Sequence, residues 1–231
     1  TFQNLISDLP IEKLSDTLEG YHITPRYLQQ YDTTFSQNGF TPNAEAKYCI
    51  DFIEQRRAFA HTLEDARKQG KLQLRAMHGD PKVNNIMIEE STGRAVSVVD
   101  LDTVKPGLIH YDIGDCMRSG CNPLGEETEN WEAVHFDPET GSAILEGYLT
   151  QASAFLTEAD YEYLFDSIRL LAFELGIRFF ADHLAGNKYF KVKHSRHNLQ
   201  RALVQFKLTE SIEAHEGEIR NIIGKMIQTA K

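Results

Sequence analysis

Apolar residues in this chain recur at two different periods, and the change of period marks out its organisation. From Thr41-Pro42 onward, Cys49, Ile53, Ala60 and Leu63 fall at helical spacing until Lys68 and Gly70. This predicts one helix with Thr41 as its N-cap and Pro42 at the first helical position. Before it, Pro10, Gly20, Pro25 and Gly39 punctuate short apolar stretches, which predicts short helices and turns. Between Leu72 and Asp100 the period shortens. Leu72–Met77, Ile86–Ile88 and Ala95–Val99 are β-prone runs, and Ser91-Thr92-Gly93-Arg94 between the last two is a hairpin turn. After Pro106 and Gly107 the helical period returns. Thr157 caps a long helix carrying Tyr161, Leu164, Phe165, Ile168, Leu171, Leu175 and Phe179, and a later helix carries Leu199, Leu203 and Phe206. The expected architecture is α+β and mostly α-helical: a helical lead-in over residues 1–71, a small inserted β-hairpin region over 72–105, and a helical subdomain over 106–231, all in one lobe.

Composition narrows the class. Hydrophobic residues make up 41% of the 231 and charged residues 25%, close to the averages of soluble globular proteins. No run approaches the roughly 18 apolar residues that a membrane span needs. The formal net charge of −10 disfavours binding to nucleic acid, which selects lysine and arginine clusters. The three cysteines, Cys49, Cys116 and Cys121, form no C-x-x-C pair and leave at least one unpaired, which points to a reducing compartment, read here as the cytoplasm.

The most polar clusters bracket the expected hairpin. Met77-His78-Gly79-Asp80-Pro81-Lys82-Val83-Asn84-Asn85 runs into the first strand, and Val98-Val99-Asp100-Leu101-Asp102 leaves the second. An aspartate in a loop, an asparagine at the mouth of one strand and an aspartate at the end of its partner would converge at one end of the hairpin. Phosphoryl transfer needs such a place. It asks the protein to orient a hydroxyl and to neutralise phosphate charge, with little covalent chemistry of its own. Asp80 would accept the hydroxyl proton, while Asn85 and Asp100 offer the hard oxygens that Mg²⁺ prefers. Each residue alone is an ordinary turn former; the order and spacing together carry the reading.

These residues resemble the catalytic loop of the aminoglycoside phosphotransferase and choline kinase superfamily, distant relatives of the protein kinases. The resemblance implies the C-terminal lobe of a protein-kinase-like fold, ATP as phosphoryl donor and Asp100 as a metal-binding aspartate. It places Lys82 where protein kinases carry a lysine that contacts the transferred phosphate. Val99–Gly107, Tyr111-Asp112-Ile113-Gly114-Asp115 with Arg118, and Gly176–Phe180 with Tyr189-Phe190 are similar to the N-acetylhexosamine 1-kinases. That likeness implies phosphorylation of an N-acetylhexosamine at its anomeric hydroxyl, with Thr103, Arg178 and Tyr189 against the sugar. Asp102 would bind a second Mg²⁺ or hold a first ligand in place. Asp112 and Asp115 would cap the next helix and, with His78, brace the catalytic loop.

No Gly-rich loop and no lysine-bearing strand precede His78, so the expectation is a piece of a larger kinase whose N-terminal nucleotide lobe lies elsewhere in the same protein, and a piece weakly active or inactive by itself. Four rival readings compete. A choline or aminoglycoside kinase would call for an acidic or aromatic cage around a cation. A non-catalytic kinase-like binding domain would be expected to have lost some of the base, the metal ligands and Lys82. A metal hydrolase built on His194 and His197 lacks a third ligand, and Cys121-Asn122-Pro123-Leu124-Gly125 has glycine where the sulfatase signature requires arginine.

Overall fold

The computed structural model describes residues 2–37 and 41–229. Ten helices and four short strands are found among them, so the architecture is α+β and mostly helical. None of these helices is long and apolar enough to cross a membrane.

The lead-in comprises α1 (Phe2–Leu5), α2 (Thr24–Gln37), α3 (Ala44–Arg56) and α4 (Thr62–Lys68). Two expectations are corrected here. Pro25 does not punctuate; it sits in the first turn of a fourteen-residue helix, where its missing N–H costs nothing. Thr24, Leu28 and Tyr31 of that helix form the buried stripe. The break expected at Gly39 lies outside the described residues. The cap of α3 is Asn43 rather than Thr41, its side chain accepting the Ala46 amide at 2.8 Å, in line with the stronger capping preference of asparagine. The single helix expected up to Gly70 is also broken by a 3₁₀ turn at Arg57–His61. Gly70 does close the segment, with φ +75°.

The β region contains the expected hairpin and, beside it, a second two-stranded sheet. β1 (Arg75–Met77) pairs antiparallel with β4 (Lys105–Gly107), and β2 (Ile86–Glu89) pairs with β3 (Arg94–Val98). Leu72, Gln73 and Leu74 are not strand; β1 begins only at Arg75, whose partner Gly107 lies far along the sequence. Loop 78–85 joins β1 to β2 and loop 99–104 joins β3 to β4, so the two strand pairings hold both loops side by side.

The helical subdomain contains α5 (Ile109–Gly120), α6 (Pro138–Ala152), α7 (Glu158–Glu162), α8 (Leu164–Leu184), α9 (His197–Ala214) and α10 (Glu216–Thr229). Thr157 does cap, in a reciprocal box with Asp160, but the helix breaks at Tyr163. Its two halves are pinned differently: Asp160 holds Arg75 at 2.6 Å, and the Tyr163 hydroxyl takes a hydrogen bond from Lys71 at 3.0 Å. α8 is buried almost all round. Phe173, Ile177 and Phe180 pack with α2, α3 and α9 in one core, while Phe165, Ile168 and Ala172 pack with α5, α6 and α10 in a second. Gly176 permits this closeness, since a Cβ there would lie 2.4 Å from the Phe206 ring.

Candidate active site

The loop 78–85 is fixed from beneath by Asp112 on α5. Its carboxylate accepts the amides of His78 at 2.9 Å and Gly79 at 2.8 Å, and the side chain of Gln3 at 2.8 Å. Asp112 thus holds the loop's backbone, and it does not cap α5; the residue at that N-cap is Leu108. Burial pushes the Asp112 carboxyl above its ordinary value, against the pull of those amides and Gln3. Asp115 does not cap either; it holds Arg118 at 2.8 Å. His78 is locked by complementary bonds. Its Nδ1 accepts the Asp80 amide at 3.2 Å, so its Nε2 carries the proton donated to the Val99 carbonyl at 3.1 Å. This imidazole ties the two loops together. Thr103 adds a second tie, its hydroxyl donating to the His78 carbonyl at 2.7 Å. The chains run so close that Gly79, at φ +87°, would put a Cβ 2.7 Å from the Thr103 carbonyl oxygen.

Asp80, Asn85 and Asp100 come together as a result. Asn85 Nδ2 donates to the Asp80 carbonyl at 2.8 Å and lies 3.3 Å from Asp80 Oδ2 and 3.4 Å from Asp100 Oδ2. With its amide nitrogen thus committed, Asn85 Oδ1 receives no protein donor among the described residues. The 3.4 Å Asn85 contact is the one hydrogen bond at the Asp100 carboxylate among them, and Asp100 has an exposed side chain on a left-handed backbone at φ +66°. Two open hard oxygens fit a Mg²⁺ site, and a non-glycine residue at positive φ is a strained conformation of the kind found at functional sites. Lys82 is ion-paired with Asp80 Oδ2. Asp80 Oδ1 stays free among the described residues. Asp102 is exposed, and its carboxylate makes no hydrogen bond or ion pair there.

A cleft of about 1000 Å³ opens beside Asp80 and Lys82, walled by α5, α8 and α9. Arg178 lies in its wall between the rings of Tyr27, Tyr21 and Phe190, at 4.7, 5.4 and 5.6 Å from their centroids. Burial pushes the Tyr27 phenol up to about 12 and the Tyr21 phenol higher, so both remain neutral beside the guanidinium. The nearest carboxylate, Glu174, is 4.0 Å from Arg178 and is already held by His22 at 2.8 Å and Thr24 at 2.7 Å. No hydrogen bond from the Arg178 guanidinium is found among the described residues. Thr103 and Tyr189 do not line this cleft. Thr103 sits behind the catalytic loop, and Tyr189 is 76% exposed at a neighbouring depression that shares Arg178.

Three residues of the site escaped sequence reasoning. His22 donates from Nε2 to the Gly79 carbonyl at 2.7 Å and faces Glu174 with Nδ1 at 2.8 Å. Gln3 reaches Asp112 from the far end of the chain. Glu174 left a signal that could have been used: it is a carboxylate inside the apolar run Leu170–Leu175 of a helix, and it is fully buried. Cys121, the residue just after α5, is buried in the second core. The rings of His194 and His197 lie tilted to each other with centroids 5.2 Å apart, and His197 Nδ1 takes the Lys193 amide.

A comparison with known protein families matches residues 11–155 to the phosphotransferase enzyme family abbreviated APH, a span of more than half of the 231 residues that includes both loops. The mostly helical α+β body with its small strands is the C-terminal lobe of a kinase-like fold. The chain belongs to this phosphotransferase family, a kinase-type enzyme that transfers phosphate to an alcohol group of a small molecule.

Proposed function

We propose that the chain is the catalytic lobe of an ATP-dependent kinase that phosphorylates an N-acetylhexosamine at the anomeric hydroxyl. The observation that carries the neutral-acceptor part of this reading is the charge balance of the cleft. Each carboxylate lining it already has a cation: Asp80 has Lys82, Asp115 and Glu126 have Arg118, Glu127 has Lys193 and Arg201, and Glu174 has His22. A polycationic aminoglycoside would find no spare negative charge. Choline would need an aromatic box, and the box of Tyr21, Tyr27 and Phe190 is filled by Arg178 itself. A neutral, hydroxyl-rich acceptor meets neither obstacle. A non-catalytic role is disfavoured by the free Asp80 oxygen beside the two open metal-binding oxygens.

In this mechanism Asp80 Oδ1 accepts the hydrogen bond of the attacking hydroxyl and then its proton, with Lys82 and Asn85 fixing the other oxygen. Asn85 and Asp100 hold Mg²⁺, with Asp102 supporting from outside; the bound metal supplies neutralisation of the phosphate charge. His78, Asp112 and Thr103 position the loop. Arg178 presents its free N–H groups to the sugar, and Tyr189 lies in the neighbouring depression that shares Arg178. We assign ATP binding in part to an N-terminal lobe of the same protein, and place the enzyme in the cytoplasm. Family membership does not choose the acceptor, because the match ends at residue 155, before Arg178.

The test is an acceptor screen of the complete protein with ATP and Mg²⁺ across N-acetylhexosamines, plain hexoses, choline and aminoglycosides, followed by NMR of the product. An N-acetylhexosamine 1-phosphate is expected. Preferential phosphorylation of choline or an aminoglycoside would overturn the neutral-acceptor assignment, and a product substituted at another carbon would overturn the anomeric one.

A further inference from the structure

A peptide group is planar and has two hydrogen-bonding ends, so a partner at each end fixes the plane between two Cα atoms. The peptide that joins Gly79 to Asp80 is held in this way by two imidazoles. The Asp80 amide donates to His78 Nδ1 at 3.2 Å, and the Gly79 carbonyl accepts from His22 Nε2 at 2.7 Å. His78 belongs to the loop itself, whereas His22 comes from the lead-in, 57 residues earlier than Gly79. The loop needs an outside hold at this point. Gly79 stands at φ +87°, and glycine has the widest backbone freedom of any residue. Without His22 the peptide that carries Asp80 would keep only the longer bond at its amide end.

His22 is itself tightly placed. It is 3% exposed and stands at φ +60°, a left-handed conformation that is uncommon outside glycine and clusters at functional sites. Its Nδ1 faces the buried Glu174 carboxylate at 2.8 Å, and the second oxygen of Glu174 takes the Thr24 hydroxyl at 2.7 Å, which fixes the orientation of the ring toward Gly79. The turn that carries His22 is tied to β4 by Lys105, whose Nζ donates to the Leu18 carbonyl at 2.7 Å. We infer that His22 is a positioning residue for the transfer: acting through the Gly79 carbonyl, it sets where the Asp80 carboxylate stands relative to the acceptor hydroxyl. This rests on Asp80 being the base, as proposed above, and not on the identity of the acceptor. A displacement of about 1 Å at a reacting group can cost roughly a hundredfold in rate, so a residue that reaches Asp80 only through a backbone carbonyl governs kcat.

The complete protein is assayed with ATP, Mg²⁺ and the fastest acceptor among the N-acetylhexosamines, hexoses, choline and aminoglycosides of the screen, with melting temperatures in parallel. Two substitutions separate the two contacts of the ring. His22→Asn suits positive φ and puts an amide where Nδ1 lies, toward Glu174, but is too short for the Gly79 carbonyl. His22→Gln puts an amide where Nε2 lies and keeps that donor. His22→Asn is expected to lower kcat about a hundredfold with acceptor KM near wild type, and His22→Gln to retain most of kcat even if it melts lower. Placed in Asp80→Asn, His22→Asn should cost kcat nothing further, because no base is left to position. Wild-type kcat in His22→Asn, an equal loss in both backgrounds, or losses that follow melting temperature instead of the Gly79 donor would overturn the inference. Should His22→Asn not fold, His22→Gln decides alone: retained kcat supports the inference, and a loss of about a hundredfold with the donor kept overturns it. No transfer by wild type, or near wild-type turnover in Asp80→Asn alone, would instead remove the reading on which it rests.

Discussion

At the scale of residues, what a side chain of the candidate site can offer is set by which of its atoms its neighbours leave unused. Asp80 has one oxygen held by Lys82 and Asn85 and one free. Asn85 has its nitrogen committed and its oxygen open. In the complete protein, Asp80→Asn is expected to lower kcat roughly 10²–10⁴-fold while acceptor binding, measured by calorimetry, changes little; near wild-type turnover would take Asp80 out of the mechanism. Arg178 differs in kind, being held by rings rather than by hydrogen bonds, so its N–H groups remain available. Arg178→Ala should raise the acceptor KM roughly tenfold to a hundredfold and affect kcat less. Unchanged KM for every sugar would make Arg178 a packing residue that fills its aromatic box.

At the scale of elements, the site is a product of four short strands and one helix face. The β1–β4 and β2–β3 pairings fix where the two loops start and stop, and α5 contributes Asp112 to hold the first loop in shape. Removing that carboxylate leaves the backbone amides of His78 and Gly79 without an acceptor in a buried place, while Gln3 Nε2 keeps only the Ile109 carbonyl at 3.1 Å. Asp112→Ala is therefore expected to cost about 3 kcal/mol or more, read as a lower urea midpoint, and to lower kcat as well, although Asp112 does not reach the acceptor. A variant with wild-type stability and reduced kcat would mean that the brace is not what Asp112 supplies. Helix α8 supports the other side. Its burial in two cores gives Glu174 and Arg178 fixed positions on one wall of the cleft.

The whole molecule is joined at His22, which links the lead-in to the catalytic loop through the Gly79 carbonyl and to α8 through Glu174. Burial opposes its charge, but the contact with Glu174 prevails, Asp115 adds to it and Arg178 opposes it, so the ring is held above its ordinary value. Tyr21 and Tyr111 pack against its faces. A folded-state value above the unfolded one means that this link contributes fully below about pH 6.5 and is lost as pH rises through the folded value. Melting temperatures of wild type should therefore fall towards those of His22→Gln as pH rises through that window; a difference independent of pH would show His22 neutral throughout. The sequence by itself determined the helical periods, the helix ending at Gly70, the hairpin turn at 91–94 and the residues Asp80, Asn85 and Asp100, because these depend on contacts a few residues apart or on local spacing. It also offered Thr41 where Asn43 caps and did not show the pairing of β1 with β4, since a cap is chosen among near neighbours by small energies and β1 finds its partner far along the sequence. The pairing of every carboxylate in the cleft, the ring box filled by Arg178, the reach of Gln3 to Asp112 and the oxygen of Asp80 left free were decided only in the tertiary structure. Each depends on how side chains meet in space, and no spacing along a chain records which polar atom is left without a partner.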